Sequence, residues 1–230
     1  MPNAGYKQFC PVAMAAEILC TRWTVLVIRE LIAGSTRFND LRRGVPKMSR
    51  TLLAQRLREL EEQGIVARRA IPGDRIHSEY RLTDAGRDLL PVVEAFGRWG
   101  QKWVESRISL RNLDPSLLMW DMRRNIDPAP LPPRRAVVQF RYPELPPAQR
   151  DFWMVVEPSG EVDLCSDDPG FEVDLMVTTD LRTMTAIWMG LTTVRAERAR
   201  IAFDGDGAIA ARMQTWLGLS PFATAERAAS

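Results

Sequence analysis

Arginine and glutamine side chains on one face of a predicted helix are the residues of this chain best suited to specific hydrogen bonding. Ser49 can cap a helix that runs to about Gln63, because its hydroxyl can accept from the free amides of the first turn. A guanidinium such as that of Arg50 or Arg58 can donate two parallel hydrogen bonds to a guanine edge, and the amide of Gln55 matches an adenine edge. The polar residues predicted to contact DNA on this helix are Ser49, Arg50, Thr51, Gln55, Arg56 and Arg58. A polar stripe of this kind is also typical of a solvated helix, so the residues alone leave both interpretations open.

The elements before this helix are predicted to position it. Leucines at 53, 57 and 60 give it an apolar face, and the segments Ala13–Leu19, Trp23–Ala33 and Phe38–Arg43 are predicted as three shorter helices. Gly44, Val45 and Pro46 then break the third of them before Ser49. A short helix, a tight turn and a second helix with a basic N-terminal face is the arrangement that reading the major groove requires.

A basic hairpin is predicted directly after the helix. Ile65–Ala70 and Ile76–Leu82 have strand patterns, and the segment from Pro72 to Arg75 is predicted as the turn between them. Arg68, Arg69 and Arg75 are predicted to contact phosphates, which gives affinity without sequence information. Thr83 can then cap a helix from Ala85 to about Trp103 that continues through Pro91. Its many apolar residues predict that part of it faces a second subunit.

Composition and motifs exclude several functional classes. The only histidine, His77, falls on the predicted hairpin, so no Ser-His-Asp or Cys-His arrangement can form, and no catalytic residue is predicted. The three cysteines, Cys10, Cys20 and Cys165, form no CxxC pair, which argues against a zinc site or a disulfide framework and favours a reducing compartment. No metal or cofactor is predicted. No apolar run is long enough to span a membrane, so we expect a cytoplasmic protein.

The two halves of the chain carry opposite charge. Residues up to Arg107 contain 18 Lys and Arg against 12 Asp and Glu, and the remainder contains 13 against 17. The halves therefore carry about +6 and −4, although the whole chain is near neutral at +2. This asymmetry favours a front half that binds a polyanion and a rear half with a different partner.

The front half resembles the HxlR group of winged-helix regulators, relatives of the MarR regulators. The matching motifs, in chain order, are Cys10-Pro11-Val12, Arg22-Trp23-Thr24, Ile28-Arg29-Glu30-Leu31, Arg37-Phe38-Asn39-Asp40-Leu41, Ser49 with Leu52-Leu53, Arg56-Leu57-Arg58-Glu59-Leu60-Glu61, Gly64-Ile65-Val66, Tyr80-Arg81-Leu82-Thr83-Asp84-Ala85-Gly86 and Leu89-Leu90-Pro91. The resemblance implies a winged helix-turn-helix in a homodimer, joined through its first and last helices, on a palindromic operator in double-stranded DNA. We include Arg37 of these motifs among the predicted DNA contacts. Repression and activation remain equally open.

Cys10 has a second interpretation within this resemblance. Members of the group that sense oxidants or electrophiles use an N-terminal cysteine, and Cys10 lies in the matching Cys-Pro position ahead of a helix, with Lys7 nearby. A thiol at a helix N-terminus or beside a cation gains reactivity as its pKa falls. The alternative is a small packed side chain without redox chemistry. A redox-sensing regulator acting through Cys10 therefore stays open.

The rear half has the pattern of an α+β domain. A helix is predicted at Leu113–Asn125, followed by a stiff extended connector at Asp127–Pro133. The segments predicted as strands are Ala136–Tyr142, Asp151–Glu157, Glu161–Cys165, Phe171–Thr179 and Arg200–Phe203, with helices from Asp180 to about Met189 and from Gly207 to near Leu217. We expect an antiparallel sheet of about five strands. The predicted domains are 1–107 for DNA binding and dimerisation, 108–135 for a helix and a Pro-rich linker, and 136–230 for a ligand-binding domain.

This domain resembles the lipid-binding domain of type 2 sterol carrier proteins. The resemblance is carried by Val162–Gly170, Val173-Asp174-Leu175 and Ile187-Trp188-Met189-Gly190. It implies an apolar tunnel between sheet and helices for a hydrophobic or lipid-like effector. The predicted ligand contacts are Trp120, Phe140, Trp153, Met176, Met184, Trp188 and Trp216, and ordinary core packing is the alternative for each. A lipid-binding or transfer protein with the winged domain as a dimer scaffold is a second function, against which the basic front half argues.

Overall fold

Two compact units make up the chain, residues 1–96 and 97–230. The computed structural model describes residues 5–71, 74–104 and 110–223, and the side chains of residues 74–77 lie outside this description. The front unit is a winged helix-turn-helix, and the rear unit combines helices with a five-stranded sheet.

The front unit begins with four helices. They are α1 Pro11–Leu19, α2 Thr24–Ile32, α3 Phe38–Gly44 and α4 Arg50–Glu62. Ser49 caps α4 as predicted, since its hydroxyl accepts from the Leu52 amide at 3.2 Å. Leu53, Leu57 and Leu60 are buried together with residues of α2. This row of leucines fixes which face of α4 turns towards solvent.

The wing is an antiparallel pair of β1 Val66–Ile71 and β2 Asp74–Leu82. Asp74, which the sequence assigned to the turn, belongs to β2, while Pro72 and Gly73 of that turn lie outside the described residues. The backbone of Thr36 and Arg37 contacts β2 through an isolated bridge, because Thr36 O accepts from Tyr80 N at 2.8 Å and Arg37 pairs with Glu79.

The long helix predicted after the wing is wrong, because it is broken into α5 Asp84–Arg87 and α6 Leu90–Trp103. Thr83 caps α5 as predicted, accepting from Gly86 N at 3.2 Å. Pro91 explains the break, since it has no N–H for the Arg87 carbonyl and its ring would crowd that carbonyl in a continuous helix.

The rear unit contains α7 Pro115–Arg123 and then a sheet with the order β5-β4-β3-β6-β7. The strands are β3 Ala136–Arg141, β4 Asp151–Val156, β5 Val162–Cys165, β6 Leu175–Thr178 and β7 Ala202–Gly205. The expected antiparallel sheet is wrong in one pairing, because β3 and β6 run parallel with Phe140 opposite Val177. After the β4–β5 hairpin the chain crosses to the far side of β3 and enters β6 in the direction of β3. Residue alternation is the same in both arrangements, so it does not distinguish them.

Helices cover one face of this sheet. They are α8 Leu181–Trp188, α9 Gly207–Ala211 and α10 Met213–Trp216, with short 3-10 turns at Pro147–Gln149 and Arg198–Arg200. The single final helix predicted to Leu217 is therefore two short ones, separated at Arg212. The extended connector predicted at Asp127–Pro133 is also wrong, since Leu131 N donates to Pro128 O in a turn and Leu131 is buried in the core.

Among the described residues, no single helix has the length and apolar composition to cross a membrane. The pair α1 and α2 passes that test only when both are counted together, and they are bent by 84°.

Candidate nucleic-acid interface and ligand site

The N-terminal half of α4 presents a polar face to solvent. Arg50, Thr51, Gln55 and Arg58 are all exposed, whereas Leu53 and Leu57 between them are buried. Arg50 Nη2 donates to Asn39 Oδ1 at 3.2 Å, and Gln55 Nε2 donates to Glu59 Oε1 at 2.9 Å. Both bonds are exposed and therefore exchangeable for bonds to a base or a phosphate. Arg58 has no ion-pair partner within the described part of the chain.

Arg56 is placed differently from its neighbours. Its side chain is only 13% exposed. Its Nε donates to the Arg22 carbonyl at 3.1 Å, and its Nη1 pairs with Glu59. The next residue, Trp23, has a left-handed φ of 79° at the start of α2, with the Arg22 guanidinium 5.5 Å from its ring. The structure thus brings Arg50, Thr51, Gln55 and Arg58 together and turns Arg56 inward against a strained corner.

A partly buried ion pair on α2 lies against the end of α3, just before the turn into α4. Glu30 is fully buried, pairs with Arg29 at 2.7 Å and accepts from the Ser35 hydroxyl at 3.3 Å. Arg29 Nη2 also donates to the Gly44 carbonyl at 2.9 Å, which ties α2 to the end of α3. A Cβ on Gly44 would overlap the Glu30 carboxylate, so this close approach requires glycine.

The wing carries exposed positive charge. Arg68 and Arg69 on β1 are exposed, as is Arg37 beside them, whereas the side chain of Arg75 lies outside the described residues. Glu79 pairs with Arg81 at 2.6 Å. The hydrogen bond from Arg81 lowers the pKa of Glu79, partial desolvation opposes this, and nearby arginine charges add to it. Glu79 therefore stays ionised and cancels part of the positive charge of the wing.

Four polar residues near this surface were missed by the sequence reasoning. Arg42, Arg43 and Lys47 are exposed on the end of α3 and the turn into α4, and Asn39 holds Arg50. Arg43 lies 3.6 Å from Asp40 in an exposed ion pair. The run Arg42-Arg43 followed by Lys47, just before a capped helix, was the sequence signal that pointed to them.

The residues predicted to bind a ligand do not share one site. Phe140, Met184, Trp188 and Trp216 lie in the core between the sheet and its helices. Trp153 and Met176 both align with Gln139, on the opposite face of the sheet from Phe140. Trp120 is buried on α7 with the Arg123 guanidinium 4.1 Å from its ring.

Cys10 is the N-terminal cap residue of α1 and is partly exposed. Cys20, at the other end of α1, is exposed, and Cys165 on β5 is partly exposed. The predicted redox residue is therefore accessible at a helix N-terminus.

Three packed helices, a capped helix with an exposed basic face and a two-stranded wing define a winged helix-turn-helix of the kind found in transcriptional regulators. Residues 18–108 match the family model described as HxlR-like helix-turn-helix. The HTH-type transcriptional regulator YvaP of Bacillus subtilis is 36% identical over 100 residues, which cover 43% of this chain and 93% of YvaP. A regulator of the same type from Methanothermobacter thermautotrophicus is 33% identical over 97 residues, 42% of this chain and 74% of its own.

Solved structures were also matched over the front unit. The reduced form of the transcriptional regulator YodB from B. subtilis is 33% identical, with a TM-score of 0.38. The match covers 43% of this chain and 97% of the YodB chain. The redox regulator HypR in its reduced form is 34% identical over 40% of this chain and 91% of its own, with a TM-score of 0.37. The chain belongs to the HxlR-like helix-turn-helix family of DNA-binding transcriptional regulators.

Proposed function

We propose that this protein is a dimeric regulator that reads DNA with the N-terminal half of α4 and responds to a hydrophobic effector through its rear unit. The observation that carries the DNA-reading part is the exposed set of Arg50, Gln55 and Arg58. Their backbone is held by the Ser49 cap and by the buried leucines of α4. The guanidinium groups are suited to guanine edges and Gln55 to an adenine edge. Ser49 and Thr51 complete the contacts at the first turn.

The phosphate contacts are assigned to Arg37 and to the wing residues Arg68, Arg69 and Arg75. A phosphate contact gives affinity that falls as salt rises, by a slope of roughly 0.9 per contact on logarithmic axes. Replacing Arg68 and Arg69 by alanine should therefore flatten the salt dependence while leaving the sequence preference intact. Arg56 has a positioning role, because its guanidinium already bonds Arg22 and Glu59.

A second copy of the chain is the proposed partner of the apolar faces of α1 and α6. Phe96, Trp99 and Trp103 recur at helical spacing on α6 and are between 57% and 63% exposed. Val12 and Met14 on α1 are similarly exposed. Exposed aromatic residues in a continuous stripe are typical of an interface, and a two-fold dimer would match a palindromic operator.

The rear unit is proposed to be a sterol-carrier-like effector domain, with domains at 1–107, 108–135 and 136–230. Support comes from the helix-covered sheet and from a core rich in methionine and tryptophan, which adapts to varied apolar ligands. Of the predicted ligand residues, Phe140, Met184, Trp188 and Trp216 lie in that core. An effector shifts DNA binding only if it binds the two DNA-binding states with different affinity.

The test is DNA binding by fluorescence anisotropy, with a fragment selected from genomic DNA, a scrambled copy and two salt concentrations. Arg50→Ala/Arg58→Ala should lower the affinity for the selected fragment by at least tenfold, since each bidentate contact contributes about 1–3 kcal/mol. Arg111→Ala/Arg195→Ala, which removes two exposed charges from the rear unit, is the matched control and should bind almost normally. Equal affinity for the selected and scrambled DNA, unchanged by the first double variant, would refute the proposal and favour a lipid-binding protein on a dimer scaffold.

Redox sensing through Cys10 is a second candidate, favoured by the position of this thiol at the start of α1, next to exposed Val12. Oxidation there would add a polar group to the proposed dimer surface. Hydrogen peroxide, which transfers one oxygen to the Cys10 thiolate and gives a sulfenic acid, should then weaken DNA binding by the native protein and leave Cys10→Ser unaffected. Equal sensitivity of both proteins would rule out this role for Cys10.

A further inference from the structure

Two buried residues that carry hydroxyl groups, Tyr142 and Thr179, are neighbours where the parallel strands β3 and β6 end. Tyr142 directly follows β3 and Thr179 directly follows β6, and these strands run parallel with Arg141 aligned to Thr178. Because parallel strands end at the same edge, the two residues are neighbours, and Thr179 N donates to Arg141 O at 3.1 Å. Strand alternation places both side chains on the core face, with Phe140 and Val177. Tyr142 and Thr179 are 0% and 4% exposed.

Neither hydroxyl has the partner that burial usually requires. Tyr142 Oη bonds the Met119 Sδ atom at 3.1 Å, and a thioether is a weak acceptor. Thr179 Oγ1 has no hydrogen-bond partner among the described residues. A buried polar group without a good partner destabilises a protein, so such groups mark strain or a missing ligand.

The core that these hydroxyls enter is suited to rearrangement. It contains Met119, Met122, Met154, Met184 and Met213, each at most 1% exposed. Methionine is unbranched and polarisable, and such side chains can move aside for an apolar guest. An apolar core with buried hydroxyl groups on two neighbouring residues therefore has the composition of a ligand site with a polar anchor.

We propose that Tyr142 and Thr179 form the polar anchor of the effector site, and that the effector is a neutral hydrophobic molecule with one hydroxyl or carbonyl oxygen. This inference rests on the proposed effector role of the rear unit. The Tyr142 hydroxyl donates a hydrogen bond to the oxygen of the ligand, and the Thr179 hydroxyl forms a hydrogen bond with the same oxygen. The apolar body of the ligand replaces contacts among the methionines.

Charge near the anchor selects a neutral ligand over a carboxylate. Glu144 lies close, because its carboxylate accepts from the Leu181 amide at 2.7 Å, next to Thr179 and the start of α8. Burial and the Glu144 charge both raise the pKa of Tyr142, so the phenol stays protonated and can donate. The same charge repels a ligand carboxylate.

The experiment measures binding of 1-octanol, octanoate and octane to the full chain labelled with ¹³C at the methionine methyl groups. The Met119 signal is the reporter, and exposed Met14 is the internal control. We expect 1-octanol to bind about tenfold more tightly than octane or octanoate. Thr179→Val and Tyr142→Phe, which keep side-chain volume, should each remove roughly five- to tenfold of the 1-octanol affinity and leave octane unchanged. Thr185→Val is the matched control, since that hydroxyl already donates to Leu181 O at 2.7 Å.

Each outcome separates the anchor from the effector role. The assignment of Tyr142 and Thr179 as the anchor would be refuted if octane and 1-octanol bound equally well. It would also be refuted if both anchor variants kept the full affinity for 1-octanol. The effector role of the rear unit would stand in either case. Absence of binding by all three compounds would overturn both. The selectivity of the wild-type protein tests the anchor without relying on the folding of any variant.

Discussion

Replacing Gly44 by alanine tests whether the buried Glu30 network positions the recognition helix. The added Cβ would overlap the carboxylate of Glu30, which is fully buried and ion-paired to Arg29. Either the backbone of α3 shifts or the carboxylate leaves its site. Overpacking typically costs about 1–3 kcal/mol and breaking a buried ion pair about 3–5 kcal/mol. We therefore expect Gly44→Ala to lower the unfolding free energy of the front unit by about 3 kcal/mol.

The assay is denaturant unfolding combined with hydrogen exchange of the α2 and α4 amides, which reports on the front unit alone. A double-mutant cycle assigns the cause. Glu30→Ala removes the atoms that the new methyl group would meet, so adding Gly44→Ala to it should cost less than about 1 kcal/mol. Gly207→Ala in the rear unit, where no atom lies within 4 Å of the added Cβ, should leave this front-unit signal unchanged.

Additive costs in this cycle would refute the reasoning, because the penalty at Gly44 would then not act through Glu30. A penalty for Gly44→Ala below about 1 kcal/mol would do the same. Loss of DNA affinity by Gly44→Ala at a temperature where it remains folded would show that the network also sets the position of α4 through the turn after α3.

Three further predictions follow from single groups. Ser49→Ala should destabilise the front unit by about 1 kcal/mol in thermal unfolding, because the cap on the Leu52 amide is lost, and Ser49→Asp should restore it. Thr179→Val should raise the stability of the rear unit by about 1 kcal/mol, and a loss of that size would mean that the hydroxyl already has a partner. The carboxyl carbon of Glu79 should titrate in NMR below its ordinary pKa of 4.5. Its stabilising contribution is then complete above pH 4.5 and is lost as the pH falls through the lowered pKa, whereas an unshifted titration would contradict the contact with arginine.

The sequence predicted the front unit well because the residues that begin and end its helices depend only on the adjacent turn of the chain. Ser49 and Thr83 cap helices whatever the rest of the chain does, and Gly64 ends α4 with a φ of 69°. The same local reasoning failed at Pro91, where an apolar period of 3.6 residues continued through a residue that a helix interior does not accept.

In the rear unit, the alternation of apolar and polar residues along a strand does not predict which face of the sheet is the core. Val137, Gln139 and Arg141 alternate with core residues on β3, yet Val137 and Gln139 are also buried because β3 is the central strand. Composition therefore grouped Trp153 with Phe140, although the two lie on opposite faces of the sheet. The order of the strands and the face on which each side chain lies depend on the whole sheet. The sequence of one short apolar segment therefore does not predict them.

The arginines of α4 show why residue type alone does not assign a role. Arg56 and Arg58 are two positions apart on the same basic helix, but at 100° per residue about 160° separates their directions. Arg56 is directed to the corner at Arg22, where its bond to the backbone stabilises the left-handed Trp23. Because that corner joins α1 to α2, a change at the proposed dimer helix would reach α4 through Arg56. Arg58 is exposed. Its position on DNA would then depend on the position of α4, which the contact of Arg56 with the corner fixes.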